Sequence, residues 1–571
     1  MGLTQNNLPA KLRKSFRHFW ARASLANGVY EAESHWRPSE VLKLGIAALA
    51  MVGLYILLAA RYPLGPSLSN PRASWATLVE PTGWNLGFHL AIYLGLTVLY
   101  LGLLRLLSPG ESDQPARPLI LIILLAWLAS SGALMTAAPA GESHDIFDYL
   151  FRGRMMVEYQ ANPLAEMPHS YRSKPFIRYV AWQKYVDTYG PVWEMSSAGV
   201  AKSVRHIATG LGWWEEDEAG CPDSPEACRL LMMYLAGYRL LAVGLTGLSG
   251  VLIWSMVSRY RPSLATLALA GWLLNPVTLI SSAIGGHNDM VMLVLVLLSG
   301  WLLQREHLFL ACLALALAAH VKLIALIWLP ACAFWIIWRY GWVRGGKVGL
   351  ASIVCALGLS WLLYLPFGGW QTLPRMFHER TLFLANSFWL IFKTTLINAW
   401  GWERARAHQW SVGLSGWLFV GGMFIMLFRL CNLRVKPTSS NPPDFSLSPE
   451  EADRKLWRAL TFVSLFYLLI GSFWFQHWYT LWPLASGVLW LEQRINRVIL
   501  SWLTFGVLSS NVGMNFLQAT VLKTAPPMVN YIAAVAMIWG PVAIALLISI
   551  KAGWKGMMSH TRAPGEKHHP N

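Results

Sequence analysis

Long apolar runs recur along nearly the whole chain, separated by short polar connectors, and nothing else in the sequence limits its fold as tightly. A straight helix needs roughly 20 apolar residues to cross a bilayer, because in hydrocarbon its backbone polar groups must be satisfied within the segment. Such segments fall at 41–60, 86–107, 118–138, 231–257, 263–284, 289–303, 308–319, 322–338, 349–367, 411–431, 457–475, 479–491, 497–516 and 529–550, about fourteen in all. Several are short for a straight span, and 308–338 reads either as a hairpin or as one tilted helix. The expected fold is therefore an all-α polytopic membrane protein, a bundle of about 14 transmembrane helices.

The basic residues test that count. Treating every segment as a crossing puts Arg259 and Arg261, Arg305, Arg339, Arg344 and Lys347, Arg434, Lys436, Arg454 and Lys455, Arg494 and Arg497, and the tail from Lys551 on the side of the N-terminus. Lys and Arg in short loops mark the cytoplasmic side. Residues 1–40 carry Lys11, Arg13, Lys14, Arg17 and Arg22 with no small-residue cleavage site before the first apolar run, and read as cytoplasmic and uncleaved. The remaining organisation is N-terminal transmembrane helices at 41–138, an outer loop at 139–230, and a bundle at 231–550 with an outer loop at 368–410 and a Pro/Ser-rich cytoplasmic linker at 432–457. A basic tail at 551–571 follows. The net charge of +17 is scattered between apolar runs, which suits cytoplasmic loops and anionic headgroups rather than nucleic acid. Cys312, Cys332, Cys355 and Cys431 read as packing residues, whereas Cys221 and Cys228 flank a turn and suit a disulfide if their loop faces an oxidising compartment. No zinc-ligand spacing is present.

The same parity sends 139–230, the turn Gly285 to Asp289, His320 to Lys322, 368–410 and Gln476 to Tyr479 to the opposite, outer face. Charged groups at membrane depth are expensive and mark function when they line a wet cavity. Glu142, Asp145, Asp148, Arg152 and Arg154 form one such run, on the first of two amphipathic helices expected near 145–160 and 192–209, both lying on the membrane surface. Asp145 and Asp148, three apart, share a helix face and suit a general base, though one of them suits a helix cap equally. Arg152 and Arg154 suit a lipid phosphate or headgroup anchoring. His287, Asn288 and Asp289 follow two glycines at an outer mouth and suit hydroxyl binding or the capping of the next helix. Lys322, beside His320, is costly at membrane depth unless it meets an anion. His477 sits in a Gln-His-Trp-Tyr run whose aromatics also suit interfacial anchoring.

Taken in order, Asp145-Ile146-Phe147 with Tyr149, Gly153-Arg154, Asn162-Pro163, Tyr189-Gly190-Pro191, Asn275-Pro276, Gly286-His287-Asn288-Asp289, Lys322 with Leu329-Pro330, and Trp478-Tyr479 before Trp482-Pro483 carry a resemblance. The chain resembles the bacterial polyprenyl-phosphate-mannose-dependent mannosyltransferases of the GT-C glycosyltransferase superfamily, over roughly residues 118 to 490. The resemblance implies a multi-pass enzyme of the bacterial inner membrane with its site on the periplasmic or extracellular face. It further implies inverting transfer of a hexose, mannose by this family, from a polyprenyl-phosphate donor to a glycolipid or glycan acceptor. Asp145 matches the family's catalytic aspartate. Asp148 is acidic where the family is not, which leaves the base open between the two, and two apolar segments precede the loop-bearing helix where many relatives have one.

The expected roles follow. Asp145 and Asp148 are catalytic; Lys322, Arg152 and Arg154 hold the donor phosphate; His287, Asn288, Asp289, His320, Tyr149, Tyr189 and His477 bind substrate. A phosphate monoester leaves already charged and needs cations rather than a proton, so no metal or other cofactor is expected. Nucleotide-sugar donors are disfavoured, since no stretch is long enough for a soluble donor domain. Two rivals differ in kind: an outer-face polymerase or ligase using lipid diphosphates, and a secondary transporter or lipid flippase, whose ionisable groups would lie nearer the midplane.

Overall fold

The computed structural model describes residues 38–68, 78–108, 117–140, 142–214, 221, 225–431 and 448–560. The basic N-terminus, most of the linker and the end of the tail lie outside them. In chain order the helices are α1 (Pro38–Arg61), α2 (Leu64–Leu68), α3 (Gly83–Leu106), α4 (Arg117–Met135), α5 (Asp145–Glu158), α6 (Pro191–Gly210), α7 (Pro225–Ser258), α8 (Pro262–Leu273), α9 (Pro276–Ala283) and α10 (Asp289–Gln304). There follow α11 (Leu308–Ala319), α12 (Leu329–Tyr364), α13 (Leu373–Thr381), α14 (Phe388–Asn398), α15 (Arg404–Cys431), α16 (Pro449–Phe466), α17 (Leu481–Gly487), α18 (Arg494–Ala519) and α19 (Pro527–His560). Among the described residues there is no strand, only isolated bridges such as Ala385 with Trp474.

Seven of these helices are long and apolar enough to cross a membrane, eight if α8 and α9, bent by 50°, count as one broken span. The count of about fourteen also took in shorter apolar helices such as α10 and α11, which length and composition alone do not establish as spans. The α8–α9 break is written locally: Pro276 enters the first turn, where its missing N–H costs nothing, and Asn275 caps that turn by accepting from Val277 N at 2.9 Å.

Large apolar side chains stand exposed along α1 (Leu42, Leu49, Leu57) and α12 (Leu350, Val354, Leu357, Leu362), a surface that water would not tolerate and lipid would. Lipid tails are as apolar as Leu, so helix association there rests on close packing and interhelical hydrogen bonds of roughly 0.6 kcal/mol each. The bundle uses both. Tyr100 on α3 donates to Gly271 O at 2.7 Å, Trp272 Nε1 on α8 to Thr246 O on α7 at 3.0 Å, and Trp328 Nε1 to Ser464 Oγ on α16 at 2.8 Å. Arg239, fully buried on α7, donates to Met135 O (2.7 Å) and Ile284 O (3.0 Å), satisfying carbonyls where α4 and α9 end.

A helix starts at Asp145, and every residue from Asp145 to Met155 is buried, with α6, α7 and the turns Pro168–Tyr171 and Ile177–Tyr179 packed around it. Amphipathic periodicity separates a polar stripe from an apolar one but does not say what each meets. Here the apolar stripe meets protein, and the polar stripe meets a cavity. Cys221 and Cys228 are joined in a disulfide, as their spacing allows.

Candidate active site

The connection 136–144 leads from α4 into α5, and Asp145 N donates to Ser143 Oγ at 2.9 Å at the helix start. One turn on, Asp148 receives two backbone donors from the loop between α5 and α6, Ala181 N on Oδ2 (3.2 Å) and Trp182 N on Oδ1 (3.0 Å). The Trp182 indole returns to Asp145, donating from Nε1 to Oδ1 at 3.2 Å. A two-residue stretch of loop is thus clamped across both carboxylates.

Burial raises both carboxyls above the ordinary range. Asp148 is pushed up to about 8 despite Arg152 on the next turn, with Asp145 adding to the rise. Asp145 is also raised by burial, against hydrogen bonds from Ser143 and Trp182 and the charge of Lys322. His144 beside them is driven down to about 4 by burial and is neutral at physiological pH.

These groups open into a cavity of about 610 Å³. Its polar patch consists of Asp145, Asp148, Tyr149, Arg152, Asp187 and Tyr189, and its walls are apolar or aromatic, among them Leu323, Ile324, Ile327, Phe383, Trp474 and Trp482. Arg152 is 4% exposed. Its Nε pairs with Asp187 Oδ2 at 3.3 Å and its Nη2 donates to Tyr185 O at 3.1 Å, while Nη1 is buried and meets no acceptor among the described residues. Behind Asp187 lies Glu194, whose carboxyl is held well above its usual range by burial and by the Asp187 carboxylate.

Lys322 lies under this patch rather than in it. Its Nζ pairs with Asp289 Oδ2 at 2.8 Å, both side chains are at most 1% exposed, and the rings of Tyr189, Tyr479 and Trp482 stand 4.9 to 5.8 Å from the ammonium. Asp289 Oδ1 accepts from Trp482 Nε1 at 2.6 Å. Asn288 accepts from Tyr149 OH at 3.4 Å, and the His287 ring stacks on Trp478 at 4.0 Å. None of these three residues lines the large cavity. Arg154 faces away, its guanidinium among the rings of Phe176 (4.7 Å), Tyr234 (5.6 Å) and Tyr159 (5.9 Å). His320 packs against Tyr364, and its carbonyl accepts from Val192 N at 3.0 Å. There the loop between α5 and α6 returns to the bundle, and a Cβ on Gly190 would run into the same carbonyl oxygen.

A second cavity of about 310 Å³ adjoins the first and shares Ser143, Gln476 and Trp478 with it. It is lined by Glu142, His477, Asn386, Ser510, Asn511, Asn515 and Gln518. His477 Nε2 bonds the Glu142 carboxylate, and His287 Nδ1 and Nε2 both lack partners among the described residues. Glu142, His287 and His477 bring their ligand atoms within 4.8 Å of one another, a group able to hold a metal ion.

Of the five stretches expected on one face, 139–230, 368–410 and Gln476 to Tyr479 line the two cavities, while Gly285 to Asp289 and His320 to Lys322 pack behind their linings. Trp182, Asp187, Phe473 and Trp474 escaped the sequence reading, because a loop without periodicity gives no sign of which face it covers, and Glu194 escaped it as one polar residue on an expected helix. The one available signal was compositional: Asp187 stands two residues before the Tyr-Gly-Pro turn, in a stretch otherwise rich in Lys and Arg. With that geometry in hand, comparison with known proteins adds one finding. The family described as Alpha-(1->6)-mannopyranosyltransferase, N-terminal domain, matches residues 41–338, more than half of the 571 residues, and its match spans α5, the loop after it and Lys322. No curated protein matches the chain.

Proposed function

Because this chain belongs to the alpha-(1->6)-mannopyranosyltransferase family and is thus a membrane-embedded glycosyltransferase, we propose that it moves mannose from a polyprenyl-phosphate carrier to a glycolipid or glycan acceptor. Arg152 carries this reading. A buried guanidinium with an unsatisfied N–H, set beside carboxyl groups in a cavity whose remaining walls are largely aliphatic and aromatic, matches a phosphate attached to a hydrocarbon chain. The smaller cavity, rich in amide and hydroxyl groups, suits the hydroxyls of an acceptor sugar. Ser143, Gln476 and Trp478, which border both, mark where the two substrates would meet.

In this mechanism Asp145 takes the proton of the acceptor hydroxyl as its oxygen attacks the anomeric carbon. The bond from that carbon to the phosphate oxygen breaks, and the lipid phosphate leaves with the electron pair. One displacement inverts the centre. Arg152 Nη1 meets the charge on the leaving phosphate, and Lys322, paired with Asp289, adds its field from below. Asp148 holds residues 181–182 across the site and keeps its own proton. The Cys221–Cys228 disulfide supports placing the loop in an oxidising compartment, the periplasmic or extracellular face of a bacterial inner membrane.

The test is transfer of labelled mannose from polyprenyl-phosphate-mannose to membrane acceptors by the purified wild type and by Asp145→Asn. Loss of a general base costs about 10²–10⁴ in rate, so the variant should fall at least that far while eluting as a folded protein. Transfer from lipid diphosphates alone would replace this reading with the polymerase or ligase class.

A further inference from the structure

We propose that Glu142, His287 and His477 bind one divalent metal ion of the zinc class at the wall of the smaller cavity. Two imidazoles and a carboxylate are the donor set of open zinc centres, in which a fourth position remains for water or another ligand. The three residues come from the connection before α5, the turn before α10 and the turn His477–Thr480, so no spacing rule in the sequence reveals them. Their donor atoms lie within 4.8 Å of one another. Tetrahedral ligands at zinc–nitrogen distances near 2.0–2.1 Å stand about 3.4 Å apart, so the group needs to close by little more than about an ångström.

His287 is the independent signal. It is 1% exposed, and both ring nitrogens are buried without a hydrogen-bond partner among the described residues. An imidazole left in that state has given up its hydrogen bonds to water without replacing them, yet its surroundings are shaped to keep it there. Gly285 leaves the space the ring occupies, since a Cβ on it would stand 2.7 Å from His287 Nε2. Gly286, at φ 56°, makes the turn that aims the ring. Trp478 fixes its plane by stacking at 4.0 Å and 20°.

The other two ligands are arranged to match. His477 presents Nε2 to the Glu142 carboxylate, while its Nδ1 lies 3.1 Å from the Asn511 amide. A metal-bound imidazole donates its remaining N–H to an outer acceptor, and Asn511, with its carboxamide turned to face oxygen to the ring, fills that place. Lys322 is paired with Asp289 at 2.8 Å, which offsets part of its charge toward a bound ion. Glu142 lies three residues before Asp145. An ion held here would tie the entrance of α5 to two distant turns and set the position of Asp145.

Metal content reads this without turnover, so it stands or falls separately from the proposed activity. The full-length protein, purified in detergent without chelator or a metal-affinity step, is expected to carry about one equivalent of zinc-class metal by mass spectrometry, the stoichiometry of a single site. His287→Ala and His477→Ala should bring it below about a tenth of that while retaining the wild-type elution profile. As a check that needs no variant, Co²⁺ added to stripped wild type should give the visible absorption of a tetrahedral N/O site, and Zn²⁺ should abolish it. Wild type that holds no metal after dialysis against Zn²⁺ and gives no Co²⁺ spectrum overturns the proposal and leaves Glu142 and His477 as a hydrogen-bonded pair. Metal retained in both His variants overturns it equally, by placing the ion elsewhere.

Discussion

Asp148→Asn separates the two carboxylates most sharply. Burial lifts the Asp148 carboxyl from 3.8 to about 8, so it is protonated at neutral pH in the folded protein and ionised in the unfolded one. A folded value above the unfolded one contributes stability that is complete below pH 3.8 and is lost as pH rises through 8. The last part of that loss, from pH 7 to 9.5, is roughly 1.4 kcal/mol, and for a chain of this size it lowers Tm by about 1 °C. Asn cannot ionise, so the variant's melting curve should be flat over the same range. It also forfeits one of the two bonds to Ala181 N and Trp182 N, at about 1 kcal/mol. Wild type should therefore lose about 1.4 kcal/mol relative to the variant between pH 7 and pH 9.5, followed by intrinsic Trp fluorescence. Because Asn still accepts from the loop, mannosyl transfer should persist within about threefold, against the loss of about 10²–10⁴ expected for Asp145→Asn. Parallel Tm–pH curves would refute the protonated Asp148; transfer abolished in Asp148→Asn but not in Asp145→Asn would refute the assignment of the base.

Three further outcomes are expected. Arg152→Lys keeps the charge but loses the fork that reaches Asp187, Tyr185 O and the donor, so kcat/KM for the lipid phosphate should fall about 10–100-fold, or about 1.4–3 kcal/mol; unchanged kcat/KM would remove Arg152 from the phosphate. Gly190→Ala pushes a methyl into the His320 carbonyl oxygen and should lower Tm through a backbone displacement costing about 1–3 kcal/mol. Wild-type Tm would show that the loop does not close there. Lys322→Met leaves Asp289 buried without its cation and should destabilise by about 3–5 kcal/mol, whereas Lys322→Met with Asp289→Leu should recover most of that stability without recovering transfer. A double variant that regains full transfer would reduce the pair to a packing element.

Much of the site was legible as helix geometry. At about 100° per residue, Asp145, Asp148 and Arg152 fall on one face of α5, and Arg154, nine residues after Asp145, falls on the opposite one. The sequence reading grouped Arg152 with Arg154 by proximity; the helical period already separated them. Asn275-Pro276 announced the broken span through its capping chemistry. Other features were not legible because their cause is tertiary. Burial of α5 depends on the loop between α5 and α6 folding over it, and a loop of Lys, Arg and Tyr reads the same whether it meets water or protein. Asp187 as partner of Arg152, and Trp182 as a lid over Asp145, depend on a chain path that no local pattern encodes. Lys322 meets an anion, Asp289 at the start of α10, two helices earlier in the chain.

Two carboxyls one helical turn apart in a cavity of low polarity cannot both ionise cheaply, and which of them keeps its proton decides the chemistry. The protein settles this through unequal surroundings. Asp145 has the Ser143 and Trp182 hydrogen bonds and the charge of Lys322 on its side, while Asp148, nearer Arg152, is still lifted to about 8. Arg152 does less for Asp148 than its position suggests because Asp187 claims its Nε and loop carbonyls claim its Nη2, leaving Nη1 toward a ligand. The buried Lys322–Asp289 pair then acquires a purpose that stability does not supply, since buried ion pairs are often replaceable by apolar residues at no loss. In the proposed mechanism Lys322, placed below the floor, favours ionised Asp145 against the opposing charge of Asp289, consistent with Asp145 rather than Asp148 acting as the base.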